Sequence, residues 1–154
     1  MSDDVNAELR LAGRLGASLE LSEVRLGHLR FEMLASENIS EAKPDLDLDI
    51  TSAKTDDGYG YGVTLSVVAL ADPQEWGFTA EVVYFALYEG SKDVEYSEGE
   101  VNAFGRVTVL ATVLPYLREL IQGLTQKAGL PPYMLPLFRV PLPLAEPSPT
   151  IASD

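Results

Sequence analysis

The sequence predicts an α+β fold in which a four-stranded antiparallel sheet carries two C-terminal helices on one face. Three observations lead to this prediction. Strand-like alternation fills the chain from residue 19 to residue 88, helical patterns follow between residues 97 and 128, and short turn signals separate successive strands. Strands that precede helices in this way are typical of α+β proteins rather than of alternating α/β proteins.

Length and composition limit the class of protein further. A chain of 154 residues suits one domain. Because it has no cysteine, it can form no disulfide and use no thiol in catalysis or metal binding. Asp and Glu outnumber Lys and Arg by 24 to 11, and the net charge of −13 disfavours binding to nucleic acid. The acidic N-terminus and the lack of a long uncharged apolar stretch predict a cytoplasmic protein without membrane insertion.

The first elements are a helix and a long strand. Apolar residues recur at helical spacing over 4–15, which predicts a short amphipathic helix that ends near Gly13 or Gly16. Over 19–33 the apolar residues alternate, but their phase changes along the way. Each change of phase requires an extra residue, so the strand is expected to bend or bulge near Gly27.

Three more strands follow a polar connection that lets the first strand cross over. Residues 45–50 alternate strictly between carboxylates and aliphatic side chains, which predicts a strand with one solvated face. A hairpin signal at 56–58 leads into a β-branched strand over 61–71. A turn at 72–74 then leads into an aromatic-rich strand over 78–88. The short connections predict an antiparallel meander.

The helices begin with a capping box in which Ser97 caps the helix and Glu100 reaches back. This helix is expected to run to about Phe104. A longer one lies between residues 108 and 128 and ends at Gly129, before two prolines. Because the longer helix is apolar on two sides, it is expected to pack on its own sheet and on a neighbouring subunit.

The predicted organisation has three parts: an N-terminal helical segment at 1–17, a domain at 18–141 and a proline-rich disordered tail at 142–154. Within the domain, the strand at 82–88 is apolar on both faces. Exposed to water, such a strand would promote aggregation. We therefore expect it to be covered by a partner subunit, by the C-terminal segment of the chain or by a bound client.

No pattern in the sequence predicts catalysis. Asp45, Asp47 and Asp49 resemble the start of a calcium loop, but the required Gly and Glu are replaced by Ile50 and Asp56. His28 is the only histidine, which argues against a histidine metal site or a catalytic triad. We expect no enzyme activity, no metal and no cofactor.

Two motifs in the C-terminal half resemble the SecB export-chaperone family. The run at 113–121 contains Pro-Tyr-x-Arg-Glu, and the run at 129–136 contains Leu-Pro-Pro followed by an apolar-Pro segment. Upstream, Leu29-Arg30-Phe31-Glu32 is similar to the end of the family's first strand, and the stretch at 44–50 is similar to its second strand. The similarity covers roughly residues 18–140.

The resemblance implies an ATP-independent holdase that keeps unfolded clients from aggregating. It implies a homotetramer, built as a dimer of dimers, with helices between sheets and long apolar grooves for clients. Our candidates for the client-binding groove are apolar residues of the strands and helices: Leu46, Leu48, Ile50, Tyr84, Phe85, Phe104 and Tyr133.

The resemblance also implies two alternative partners. Export chaperones of this family bind the SecA motor through an acidic sheet surface, and Glu32 and Glu75 match two of its acidic positions. His28 replaces an acidic residue of that surface, and the ending at 138–143 departs from the family pattern. The N-terminal helix at 9–15 and the proline-rich end look closer to SecB-like chaperones that protect an antitoxin.

Two alternatives of other classes remain open. One is a non-chaperone, acidic protein-interaction domain, such as a decoy of a nucleic-acid-binding protein, which would not bind unfolded chains. The other is a small-ligand-binding α+β enzyme, which would have a closed pocket with converging polar groups.

Overall fold

The structure is a computed structural model that describes residues 2–71, 75–91 and 93–135. A π-helical segment, Gly105–Val109, joins the last two helices into one continuous run. The α+β class is as predicted, and so is the order of the elements, except that the polar connection after the first strand contains a short helix, Ser36–Ile39, that was not predicted. The elements in chain order are α1 (Ser2–Gly16), β1 (Leu19–Met33), α2 (Ser36–Ile39), β2 (Asp45–Lys54), β3 (Gly58–Leu70), β4 (Gly77–Gly90), α3 (Glu98–Phe104) and α4 (Leu110–Lys127).

The four strands form one antiparallel sheet in the order β1-β4-β3-β2. Strands β2, β3 and β4 make the predicted meander, and β1 crosses over to pair with β4. The predicted irregularity near Gly27 is present, since the register shifts between Leu26 and His28. A Cβ atom at Gly27 would overlap the ring of Phe85, so a larger residue there would require this exposed ring to move.

The hydrophobic core lies between one face of the sheet and the helices. Alternate residues of β3 and β4 point into it, as the period of two requires. The helical run buries one stripe against them. The largest fully buried side chains of this interface are Tyr61, Leu65, Phe78, Val82, Phe104, Val109, Val113, Leu117 and Ile121. We call this the helix-side face of the sheet, and we call the opposite face the outer face.

The predicted capping box is confirmed. The Ser97 hydroxyl accepts a hydrogen bond from the Glu100 amide, and the Glu100 carboxylate accepts one from the Ser97 amide. Gly129 ends α4 with a φ of 78°, in the left-handed region that glycine tolerates. Pro115 lies inside α4 rather than at its start.

The helical run Glu98–Lys127 has a mean hydropathy of 1.2 in its most apolar window, of which 28% is buried in this chain. It therefore meets the length and composition requirements of a membrane span. Core helices of soluble proteins meet the same requirements, so this is weak evidence and the absence of membrane insertion stays a prediction. The predicted turn at 72–74 and the predicted tail at 142–154 lie outside the described residues.

Candidate functional site

A row of apolar side chains on β1 is exposed although it lies on the helix-side face. We call it the β1 apolar row and define it as Leu21, Leu26, Leu29 and Met33, which are 37–46% exposed. Their partners on β4 are Tyr88, Tyr84, Val82 and Phe78, in that order, and all four are buried. The helices therefore cover β4 but stop short of β1, and the row remains open to solvent.

An aromatic cleft borders this row. The rings of Tyr84 and Tyr116 lie 5.8 Å apart between centroids, and Tyr84 is the cross-strand partner of Leu26. The cleft has a volume of about 390 Å³, and its remaining lining residues come from α4: Glu119, Leu120, Gly123, Leu124 and Lys127. The lining combines two aromatic rings and two leucines with one acid, Glu119, and one base, Lys127.

The surroundings of Tyr84 disfavour the ionisation of its hydroxyl. Burial raises the pKa of Tyr84, and the negative charge of Glu119 and the neighbouring Tyr116 hydroxyl raise it further. Tyr84 is therefore uncharged at neutral pH, as a tyrosine of ordinary pKa also is.

The structure separates the predicted groove residues into different places. Leu46, Leu48 and Ile50 lie half-buried on the helix-side face of β2, at the sheet edge opposite β1. They pack against the core rather than beside the β1 apolar row. Tyr84, by contrast, lines the cleft.

Two further predicted groove residues are packed by neighbouring aromatic rings. Phe104 is only 1% exposed, and its ring lies 4.9 Å from that of Tyr88. Tyr133 is half-buried, with its ring edge-on to Phe78 at 5.4 Å. Phe104 therefore belongs to the core, whereas Tyr133 lies at the Met33 end of the β1 apolar row.

Phe85 lies on the outer face, opposite Tyr84, because successive residues of a strand point to opposite sides. It is 38% exposed and lies 5.9 Å from the guanidinium of Arg25. One groove cannot contain both Tyr84 and Phe85 in this chain.

The two predicted partner-binding acids are at the same end of the sheet. Glu32 lies on the outer face of β1, where Arg30 donates a hydrogen bond to it at 3.0 Å. Glu75 is exposed in the short segment before β4. His28 is also exposed on the outer face, 3.2 Å from Glu81. The acids along this part of β1 are therefore interleaved with bases.

The exposed side chains of the β1 apolar row can make apolar contacts with another chain. Within residues 2–71, 75–91 and 93–135, no group of three or more acidic or histidine side chains could hold a metal ion. Sequence analysis missed the β1 apolar row and Tyr116 as site residues. The signal that could have found the row was its apolar alternation over 19–33.

The sheet order and single helical layer define an α+β fold of the SecB-like class. The fold is similar to that of a SecB-like chaperone of Mycobacterium tuberculosis, solved in complex with a peptide from an antitoxin. The TM-score is 0.68 at 21% sequence identity, and the match covers 86% of this chain and 99% of that one.

The sequence family described as preprotein translocase subunit SecB matches residues 15–138. The chain therefore belongs to the SecB family. It is 29% identical over 101 residues to the protein-export protein SecB of Chromobacterium violaceum, and 28% identical over 100 residues to that of Neisseria meningitidis serogroup C. Each match covers 63% of this chain, and 64% and 66% of the relatives' lengths.

Proposed function

We propose that this protein is an ATP-independent chaperone that holds unfolded or aggregation-prone polypeptides, and that it is not an enzyme. The observation that carries the proposal is the β1 apolar row, exposed beside an aromatic cleft. Contiguous exposed apolar surface on a soluble protein marks a site of contact with another chain. Membership of the SecB family supports the same function.

The chemistry of the surface explains how one site accepts many clients. Burial of apolar surface contributes about 25 cal/mol per Å² whatever the sequence that supplies it. The four side chains of the row present no polar group that would demand a particular partner. Affinity then depends on the apolar content of the client, which distinguishes unfolded chains from folded ones.

Two classes of client fit this proposal. The curated relatives are named protein-export proteins, which supports secretory clients and a cytoplasmic location. The M. tuberculosis relative was solved with an antitoxin peptide, which supports a dedicated antitoxin client. Aggregation suppression for several unrelated proteins would favour export, and dependence on one partner would favour the antitoxin.

Two finer proposals concern partners of the folded protein. The first is a homotetramer, supported by the low burial of the apolar helical run within one chain. The second is SecA binding at Glu32 and Glu75 on the outer face.

A light-scattering assay of an aggregating client tests the main proposal. The wild type is expected to slow aggregation at stoichiometric amounts, and a Leu26→Ser/Leu29→Ser variant is expected to lose most of this effect. Phe85→Ser, on the outer face, is the matched control and should retain it. Equal loss in both variants, or no suppression by the wild type, would contradict the proposal. Native mass determined on the same samples tests the tetramer.

A further inference from the structure

Strand β2 is an edge of the sheet, and its outward backbone groups have no partner. It stands last in the order β1-β4-β3-β2, so only one of its sides pairs with β3. The Thr55 amide donates a hydrogen bond to the Gly58 carbonyl at 2.9 Å, which makes these two residues a hydrogen-bonded pair. Because such pairs alternate along an antiparallel ladder, the amides and carbonyls of Leu46, Leu48 and Ile50 point away from β3. In the described part of the chain, no group bonds to them.

The backbone of β2 is regular enough to accept another strand. All ten residues, Asp45–Lys54, pair with β3 without a register shift, and none of them is a proline. The other edge strand, β1, has register shifts after Leu21 and after Leu26. Bulges and prolines are common devices that keep an edge strand from pairing further. Of the two edges, β2 is therefore the one at which an extended polypeptide can continue the ladder.

The outer face of β2 carries a row of exposed negative charge. Asp45, Asp47 and Asp49 are exposed, and their cross-strand partners on β3 are uncharged. No base forms an ion pair with them within residues 2–71, 75–91 and 93–135. Like charges directly opposite each other destabilise a strand pair, whereas opposite charges stabilise it. The row therefore disfavours pairing with the β2 strand of a second copy and favours a strand that has basic side chains at alternate positions.

The helix-side face of β2 favours apolar residues at the intervening positions. Leu46, Leu48 and Ile50 are half-buried against the core, so a strand beside them would cover the part that is still exposed. At the Ser52 end of β2 a crevice of about 240 Å³ separates the strand from the helical run, where Asn102 lies. This crevice leaves room for a side chain of an added strand.

We propose that β2 binds an extended client segment as a fifth, antiparallel strand, and that this segment alternates apolar residues with basic ones. The inference rests on the proposed function and deepens it, because it gives the chaperone a second client surface at the sheet edge opposite the β1 apolar row. Backbone hydrogen bonds to β2 supply affinity for any extended chain, and the side chains at alternate positions supply the selectivity. An unfolded client offers such a segment, whereas a folded protein has already paired it.

N-methylated peptides test the strand pairing on the unaltered protein. The probe is a fluorescent heptapeptide in which valine and lysine alternate, with valine at both ends. In an antiparallel pair with the valines opposite Leu46, Leu48 and Ile50, the valine amides face β2 and the lysine amides face solvent. Methylation of the two inner valine amides should weaken binding about tenfold, and methylation of two lysine amides should change it by no more than about twofold. Equal effects, weakening by lysine methylation alone, or no binding of the unmethylated peptide would overturn the proposal.

Charge substitutions test the selectivity for a basic segment. Asp47→Asn/Asp49→Asn should weaken binding of the unmethylated probe about fivefold and reduce its dependence on salt. Glu20→Gln/Glu37→Gln is the matched control, since it removes the same net charge from two exposed acids that lie outside β2. The control should leave the affinity nearly unchanged. Equal weakening by the two double variants would show that net charge alone attracts the peptide, and the assignment to the β2 acids would fail.

The β1 apolar row provides a separate readout of the proposed function. Leu26→Ser/Leu29→Ser should lose aggregation suppression and still bind the probe. If this variant also loses the probe, the peptide sits on the row, and the β2 proposal fails while the chaperone function stands. If the wild type binds the probe with the expected methylation pattern but slows no aggregation, the chaperone function fails although β2 binds extended peptides.

Discussion

Arg14 and Glu100, 86 residues apart in the chain, form an ion pair that joins two helices. The Arg14 Nη1 atom lies 2.9 and 3.1 Å from the two carboxylate oxygens of Glu100. The same carboxylate closes the capping box with Ser97, so one acid both caps α3 and holds the end of α1. The position of α1 on the fold thus depends on a residue that sequence analysis identified only as a helix cap.

This ion pair predicts a dependence of stability on pH. Burial raises the pKa of Glu100, but the hydrogen bonds from Ser97 and the Arg14 guanidinium outweigh it, so the pKa lies below its ordinary value of 4.5. A lowered pKa in the folded state contributes stability above about pH 4.5, and this is lost as the pH falls. Glu100→Gln should therefore flatten the decline of the unfolding free energy in acid. Glu98→Gln, an exposed acid of the same turn, should not flatten it.

Tyr61→Phe is expected to destabilise the fold. The buried Tyr61 hydroxyl donates a hydrogen bond to the carbonyl of Val101 at 2.8 Å and so fixes α3 to the sheet. Removing the hydroxyl leaves the Val101 carbonyl without this donor. The free energy of unfolding, measured with denaturant, should therefore fall by about 1–2 kcal/mol. Tyr116 is 44% exposed, and Tyr116→Phe should change the free energy of unfolding by no more than about 0.5 kcal/mol. Similar values for the two variants would contradict this role of Tyr61.

Thr125→Val is expected to loosen the segment that follows α4. The Thr125 hydroxyl donates to the helix carbonyl of Gln122 and accepts from the Tyr133 amide. Valine keeps the shape but leaves that amide without its acceptor, which costs about 1–2 kcal/mol. Limited proteolysis near residues 130–135 should therefore be faster.

Thr112→Val is the control for this variant, because the Thr112 hydroxyl also donates to a carbonyl of its own helical run, that of Thr108. It should leave cleavage near residues 130–135 unchanged. Equal acceleration by both substitutions would show that helix stability, rather than the Tyr133 contact, controls this segment.

Gly58→Ala should damage the sheet. A Cβ atom at Gly58 would collide with the backbone carbonyl oxygen of Tyr88, which cannot rotate away as a side chain can. We expect the free energy of unfolding, measured by thermal denaturation, to fall by about 1–3 kcal/mol, which is the usual cost of overpacking. Gly13→Ala has open space around its new Cβ and lies within α1, so it should instead stabilise by about 0.5–1 kcal/mol.

The strands could be predicted because their side chains alternate so regularly. Over 45–50, the carboxylates all lie on the exposed face of β2 and the aliphatic side chains are half-buried, as expected. The crossover of β1 was also anticipated from the polar connection that follows it. The bulge near Gly27 followed from the change of apolar phase, although the close contact between Gly27 and the Phe85 ring is visible only in three dimensions.

The candidate site was less predictable, for physical reasons. Tyr84 and Phe85, both predicted for the groove, lie on opposite faces of β4, as the strand period requires. The exposure of Leu26 and Leu29 depends on where the helices end across the sheet, and no local pattern in the sequence encodes that. Phe104 was a candidate for the groove that the resemblance implies, yet it is enclosed by Tyr61 and Tyr88.

The π-helical segment Gly105–Val109 controls how the long helix is indexed against the sheet. A π-turn holds about one residue more than an α-turn, and each residue of a helix advances by about 100°. Five residues of π-helix therefore turn through about the same angle as four residues of α-helix, so deletion of one residue would make the run regular and keep Val113 and Leu117 on the sheet. Winding all five residues as α-helix without a deletion would instead rotate α4 by roughly 90° about its own axis. Val113 and Leu117 would then leave the sheet, and the wall of the cleft would carry different side chains. The wide turn thus absorbs one residue locally and sets which face of α4 meets β4.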